Sequence, residues 1–174
     1  MNIIKHKQVI LIFLPFLLVT GLLIKNSSSE APGRQTIPRS LVIVKPVSPA
    51  KPVHPGEAFV LTLELTVAPG YHINSEKPED ELLVPTSIEF KQDPAFEVKE
   101  VNFPEAKTKK FKFSDKPLSV FQGQIKVKIK IELGEDVCGS QLVLEGKVRY
   151  QACDEEACLR PVSAPFKAVI KIAT

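Results

Sequence analysis

Ile125-Lys126-Val127-Lys128-Ile129-Lys130-Ile131-Glu132-Leu133 sorts its side chains strictly by parity: five apolar residues alternate with three lysines and a glutamate. Successive side chains of a β-strand point to opposite faces, so this is a strand with one face buried and one wet. A helix, with its period of 3.6, would scatter the same residues around its girth. Phe59, Leu61, Leu63, Leu65 and Val67 repeat the pattern against Val60, Thr62, Glu64 and Thr66. Working outward, Leu41–Val44, Leu82–Phe90, Phe96–Phe103, Leu142–Ala152 and Phe166–Ile172 are further strand candidates. Between them lie Pro69-Gly70, Gln92-Asp93-Pro94 and a segment carrying Pro46, Pro49, Pro52 and Pro55, which is too rich in proline for a central strand.

No convincing helical period follows the N-terminal leader. About seven short strands with Pro and Gly between them predict an all-β fold, an immunoglobulin-like antiparallel β-sandwich ending in a cysteine hairpin. The expected domain covers residues 41–174, with no internal repeat. A chain of 174 residues has room for one such domain and a targeting segment. The formal charge of +3 comes from lysines mixed with acids. This excludes the clustered basic footprint of a nucleic-acid binder. The single methionine argues against a methionine-rich soft-metal carrier, and nothing points to a cofactor.

Lys5 and Lys7 precede an unbroken apolar run over residues 9–24, and a polar stretch from Lys25 to Glu30 follows it. That is the charged and apolar grammar of an export signal. The run is longer than most signal cores and shorter than the roughly 20 residues of a comfortable membrane span. Residues 1–31 therefore read as a signal peptide or an N-terminal membrane anchor, and residues 32–40 as a linker. Export would place the chain outside the cytoplasm, where disulfides persist.

Two of the three cysteines stand in Tyr150-Gln151-Ala152-Cys153-Asp154-Glu155-Glu156-Ala157-Cys158-Leu159-Arg160-Pro161. With Asp154–Ala157 as a four-residue hairpin loop between the last two strands, Cys153 and Cys158 face each other. Opposed Cα atoms lie about 4.5 to 5.5 Å apart, within the roughly 4.4 to 6.8 Å that a disulfide needs. A bond closing so short a ring restricts the unfolded chain by only about 2 kcal/mol. Spacing alone leaves a structural staple and an exposed, exchangeable pair equally open. Asp154, Glu155 and Glu156 would raise a neighbouring thiol's pKa, whereas Arg160 would lower it. Cys138, in Val137-Cys138-Gly139, reads as an incidental, partly buried thiol near a turn. The three cysteines with His54 or His72 match no zinc-ligand spacing, so no metal site is expected.

The cysteine motif resembles that of the N-terminal periplasmic domain of the thiol:disulfide interchange protein DsbD. Companion segments resemble the same family. They are Gly70-Tyr71-His72-Ile73-Asn74-Ser75 with Lys77-Pro78, Leu83-Val84-Pro85-Thr86, Phe103-Pro104-Glu105-Ala106, Lys110-Phe111-Lys112-Phe113, and Leu118-Ser119-Val120-Phe121-Gln122-Gly123. The likeness runs from about Ile43 to Ile172. It implies an immunoglobulin-like sandwich in which Cys153 and Cys158 shuttle between dithiol and disulfide. It further implies electron transfer between a thioredoxin-like donor and periplasmic protein disulfides. In the family a phenylalanine-bearing loop caps the cysteines. Here the loop over residues 109–117 corresponds, with Phe113, or in second place Phe111, as the lid. The alternative is that both rings are ordinary strand core. Tyr71 and His72 match a segment near the site, Tyr150 belongs to the cysteine motif, and all three are also explained by packing.

Three features depart from the family pattern. The membrane electron-transfer domain and the thioredoxin-like domain are absent from this sequence, so both are expected as separate partners. The cysteine loop is one residue shorter and more acidic. Cys138 is additional and is a candidate for a mixed pair. The competing function is a non-catalytic binding or assembly module stiffened by the hairpin disulfide.

Overall fold

The structure, a computed structural model, describes residues 40–173. Three antiparallel sheets are present and no helix occurs among these residues. In the first sheet, β1 (Val42–Val47), β2 (Ala58–Val67), β8 (Gln124–Leu133) and β5 (Phe96–Asn102) lie side by side in that order. The parity read in the sequence is the parity of burial. Ile125, Val127, Ile129, Ile131 and Leu133 face inward, while Lys126, Lys128 and Lys130 are exposed. Leu63 opposes Val127 and Leu61 opposes Ile129, so the apolar faces of β2 and β8 coincide. On the wet face Glu64 meets Lys126 at 3.1 Å and Lys45 at 3.3 Å. β1 carries Pro46 at the edge of the sheet, where a missing N–H costs no ladder bond.

The second sheet is β11 (Val162–Lys171), β9 (Gln141–Tyr150) and β4 (Ser87–Phe90). Its inward residues Leu144, Val148, Phe166, Ala168 and Ile170 join those of the first sheet in one core, completing the sandwich. Gly146 is required in β9. A Cβ there would sit 2.6 Å from Cζ of Phe166 and 2.8 Å from the Glu89 carbonyl, closer than side-chain atoms approach. The absent side chain lets the Phe166 ring lie across the strand.

The third sheet is small: β10 (Ala152–Cys153), β3 (His72–Asn74), β7 (Leu118–Phe121) and β6 (Lys107–Lys109). It has its own apolar cluster of Phe111, Leu118 and Val120, with Leu83 and Phe113 packed against it.

Several expectations need correction. The strand expected over Leu82–Phe90 occupies only its last four residues. Asp80 folds the preceding segment into a turn, accepting the N–H of Leu82 on its side chain and that of Leu83 on its carbonyl, and Pro85 interrupts pairing. Leu82 itself is 88% exposed. The last two strands do pair and Cys153 does oppose Cys158, but the cysteine hairpin is not a straight continuation of their ladder. β11 pairs with β9 from Val162 opposite Tyr150, and the cysteine segment leaves that hairpin as an excursion into the third sheet. Cys138 is exposed rather than partly buried. It precedes β9, whose ten residues span about 34 Å before the segment with Cys153 and Cys158 begins. A mixed pair with Cys153 or Cys158 is therefore out of reach in this fold. The leader over residues 1–31 and nearly all of the linker lie outside the described residues.

Candidate redox site

Gln151 is the hinge of the site. β9 ends at Tyr150 in the second sheet, and β10 begins at Ala152 in the third, opposite Ile73. The Gln151 side chain ties three segments together at this crossing. Its Oε1 accepts from the Val84 N–H at 3.0 Å and from Asn74 Nδ2 at 3.1 Å, while its Nε2 donates to the Leu159 carbonyl at 3.1 Å. Asn74 also donates to the Val84 carbonyl. Neither residue was singled out in the sequence, although both stand in segments quoted there. Asn74 is buried on a three-residue strand too short to show alternation, and half-buried Gln151 lies between two strands.

Cys153 pairs with His72 across β3 and with Cys158 across the loop. The disulfide is closed, with an S–S distance of 2.02 Å and Cα atoms 4.0 Å apart. Leu159 N–H donates to the Ala152 carbonyl, closing a miniature hairpin just outside the bond. The acids of the loop have separate tasks. Asp154 Oδ1 accepts the N–H groups of Glu156 and Ala157, both at 2.8 Å, and these bonds hold its carboxyl below its usual pKa. Glu155 accepts from Lys109 Nζ at 2.6 Å, joining the cysteine loop to β6. Two of the three acids are thus tied down by hydrogen bonds. Arg160 is exposed and forms no ion pair among the described residues.

Exposure is unequal across the bond. Cys153 is wholly buried, whereas Cys158 is half-buried and lines a cleft of about 790 Å³. Phe113, Pro117, Leu83 and Gln151 also line that cleft, with Glu79, Asp80 and Glu81 on its rim. Of the two cysteines, only Cys158 borders this cleft. Phe111 and Phe113 follow β6 in a turn, so neither is a strand residue. Phe111 is buried and stacks on His72 with ring centroids 3.9 Å apart; Phe113 is half-buried, 5.5 Å from Phe111. Lys109 Nζ lies 5.0 Å from the Phe111 ring centroid.

His72 is 1% exposed and its Nε2 has no hydrogen-bond partner. Burial pushes its pKa down to about 4, with Lys109 acting in the same direction and Glu155 and Asp154 opposing. Tyr71 is half-buried against the main core, and Tyr150 is buried within it. Neither lines the cleft at Cys158. A second hollow, of about 590 Å³ over Phe90, Gly146 and Phe166, contains neither cysteine nor histidine.

These features define an all-β antiparallel sandwich with a disulfide mounted on an accessory sheet. The family described as "Thiol:disulfide interchange protein DsbD, N-terminal" matches residues 40–169, and the chain belongs to that family. Similar solved structures include the Neisseria meningitidis DsbD N-terminal domain in the reduced form. It is 14% identical with a TM-score of 0.42, the match covering 65% of this chain and 82% of that one. The N-terminal periplasmic domain of ScsB from Proteus mirabilis is 16% identical with a TM-score of 0.46. That match covers 79% of this chain and 49% of the ScsB chain. No curated protein sequence matches.

Proposed function

We propose that the domain is an extracytoplasmic thiol-disulfide relay, passing electrons between a thioredoxin-like donor and periplasmic protein disulfides through Cys153 and Cys158. The observation that carries this reading is the unequal exposure of a bond that adds little stability. A ring this small contributes about 2 kcal/mol, yet Cys158 lines a cleft that Phe113 also lines. Membership in the DsbD N-terminal family supports the same chemistry.

In the exchange, a partner thiolate attacks Cys158 Sγ. The S–S bond breaks and its electron pair leaves on Cys153. The partner's second thiol then attacks its own sulfur in the mixed disulfide and frees Cys158. Two electrons enter the pair, the partner leaves as a disulfide, and the dithiol passes the electrons on by the reverse steps. Phe113 serves as the lid that moves aside for the partner. Phe111 is its support, Tyr71 and Tyr150 brace the strands beneath, and Arg160 flanks the exit of the loop. The leader over residues 1–31 exports the domain or anchors it to the inner membrane through residues 9–24. A separate membrane electron-transfer protein supplies the reducing equivalents.

The test is the reduction potential of the purified domain together with trapping by single cysteine variants. Cys153→Ala should leave a mixed disulfide at Cys158 with a thioredoxin-fold partner. A potential below about −300 mV, where inert structural bonds lie, with no trapped adduct, would instead favour a non-catalytic module with a stiffening disulfide.

A further inference from the structure

The imidazole of His72 stands out among the buried polar groups. His72 and Cys153 are directly opposed residues of an antiparallel pair. Such residues project to the same face of the sheet with Cβ atoms about 4.5 to 5.5 Å apart. Both are buried, and Phe111 stacks on the imidazole. A disulfide sulfur has no proton to give. Nε2, sealed from water, has no partner while the bond is closed. A buried polar atom left in that state is a standing cost to the oxidised form. Reduction places a new hydrogen-bonding group, a thiol or thiolate, across from it.

We propose that His72 is the proton partner of Cys153: its Nε2, unpaired in the disulfide state, bonds the Cys153 sulfur once the disulfide opens, so that the imidazole selectively stabilises the reduced domain. This rests on the exchange reading above. When a dithiol of the thioredoxin class reduces the pair, a bond forms between the partner's sulfur and Cys158 and the Cys153–Cys158 bond breaks. The electron pair goes to Cys153. The partner's second thiol closes the partner's own disulfide, and the proton it loses ends on the domain. The resulting Cys153 thiol donates to neutral Nε2. The charged groups around the imidazole are Lys109 of β6 and Asp154 and Glu155 of the cysteine loop. Burial, more than these charges, keeps the imidazole neutral, and a neutral Nε2 can accept from a thiol.

The test compares wild type, His72→Phe and His72→Gln in equilibrium with a glutathione buffer. His72→Phe keeps a flat ring under Phe111 but has no polar atom. It should move the equilibrium toward the disulfide by about tenfold, equivalent to a potential about 30 mV more negative. His72→Gln, which restores a buried hydrogen-bonding group, should recover most of the shift. A His72→Phe value within about twofold of wild type, or His72→Gln behaving like His72→Phe, would overturn the proposal. Should the variants fail to fold, nitrogen-15 NMR of the wild-type imidazole decides. The Nε2 signal should move between the oxidised and reduced domain, and an unmoved signal refutes the bond. These readouts are differences between variants or redox states. They therefore answer for His72 even where the absolute potential speaks against a relay, and a relay survives if His72 proves inert.

Discussion

The sandwich and the accessory sheet follow opposite rules. In the sandwich, Leu61, Leu63, Ile129 and Ile131 are wholly buried on strands of ten residues, within one apolar core. In the accessory sheet the strands run two to four residues, and His72, Asn74 and Cys153 are buried instead. The three described buried side-chain atoms without a partner, His72 Nε2, Asn74 Oδ1 and Glu76 Oε2, all fall within residues 72–76. Unsatisfied polar groups are tolerated where a region changes state and are selected against where it only has to hold together. The sandwich supplies the stability that lets the small sheet keep unpaired groups.

Replacing either cysteine offers the sharpest break in this contrast. Cys158→Ala should abolish electron transfer from a thioredoxin-like donor to a protein disulfide while lowering stability by only about 2 kcal/mol, read by parallel activity and urea-unfolding measurements. Ile129→Ala should do the reverse. A wholly buried side chain lost from the sandwich core costs about 2 to 5 kcal/mol, and the potential of the remaining folded protein should not move. Were Ile129→Ala to shift the potential as well, the two regions would not be separable.

Acid should act on the small sheet first. His72 takes a proton at about 4 in the folded chain and near its ordinary 6.5 when unfolded. Between those values the unfolded state binds more protons, so stability is full above pH 6.5 and is lost as pH falls toward 4. The loss is roughly 3 kcal/mol. Asp154, held below its ordinary pKa by backbone N–H groups, adds a further loss at lower pH as its carboxylate is protonated in the folded chain. Urea unfolding at pH 7 and pH 4.5 measures the first effect, and His72→Phe should flatten it. The smallest effect is expected at the cleft. Phe113→Ala should change stability by about 1 kcal/mol, less than a fully buried ring would, yet speed reduction by a small thiol several-fold. Phe111→Ala, by contrast, removes a buried ring and should unfold the cap as a unit.

Long strands were legible because alternation repeats often enough to outweigh chance: β2 and β8 could be read residue by residue. β3, β6, β7 and β10 could not, since three residues buried on both faces, such as His72-Ile73-Asn74, show no period. The last strand is expected from Phe166, but it is four residues longer at its start. It begins at Val162, because β11 lies at the edge of its sheet and the proline's missing N–H faces away from β9. The cysteine pair was visible through spacing, but its asymmetry was not.

The sequence alone therefore determined the all-β class, the burial parity of the long strands and the ability of Cys153 and Cys158 to bond, because each depends on residues close together in the chain. Tertiary structure decided which cysteine meets the cleft, that Gln151 carries the chain from one sheet to another, and that His72 lies opposite Cys153. His72 and Cys153 are neighbours only because β3 and β10 pair across some eighty residues of intervening chain, and no local pattern encodes that register.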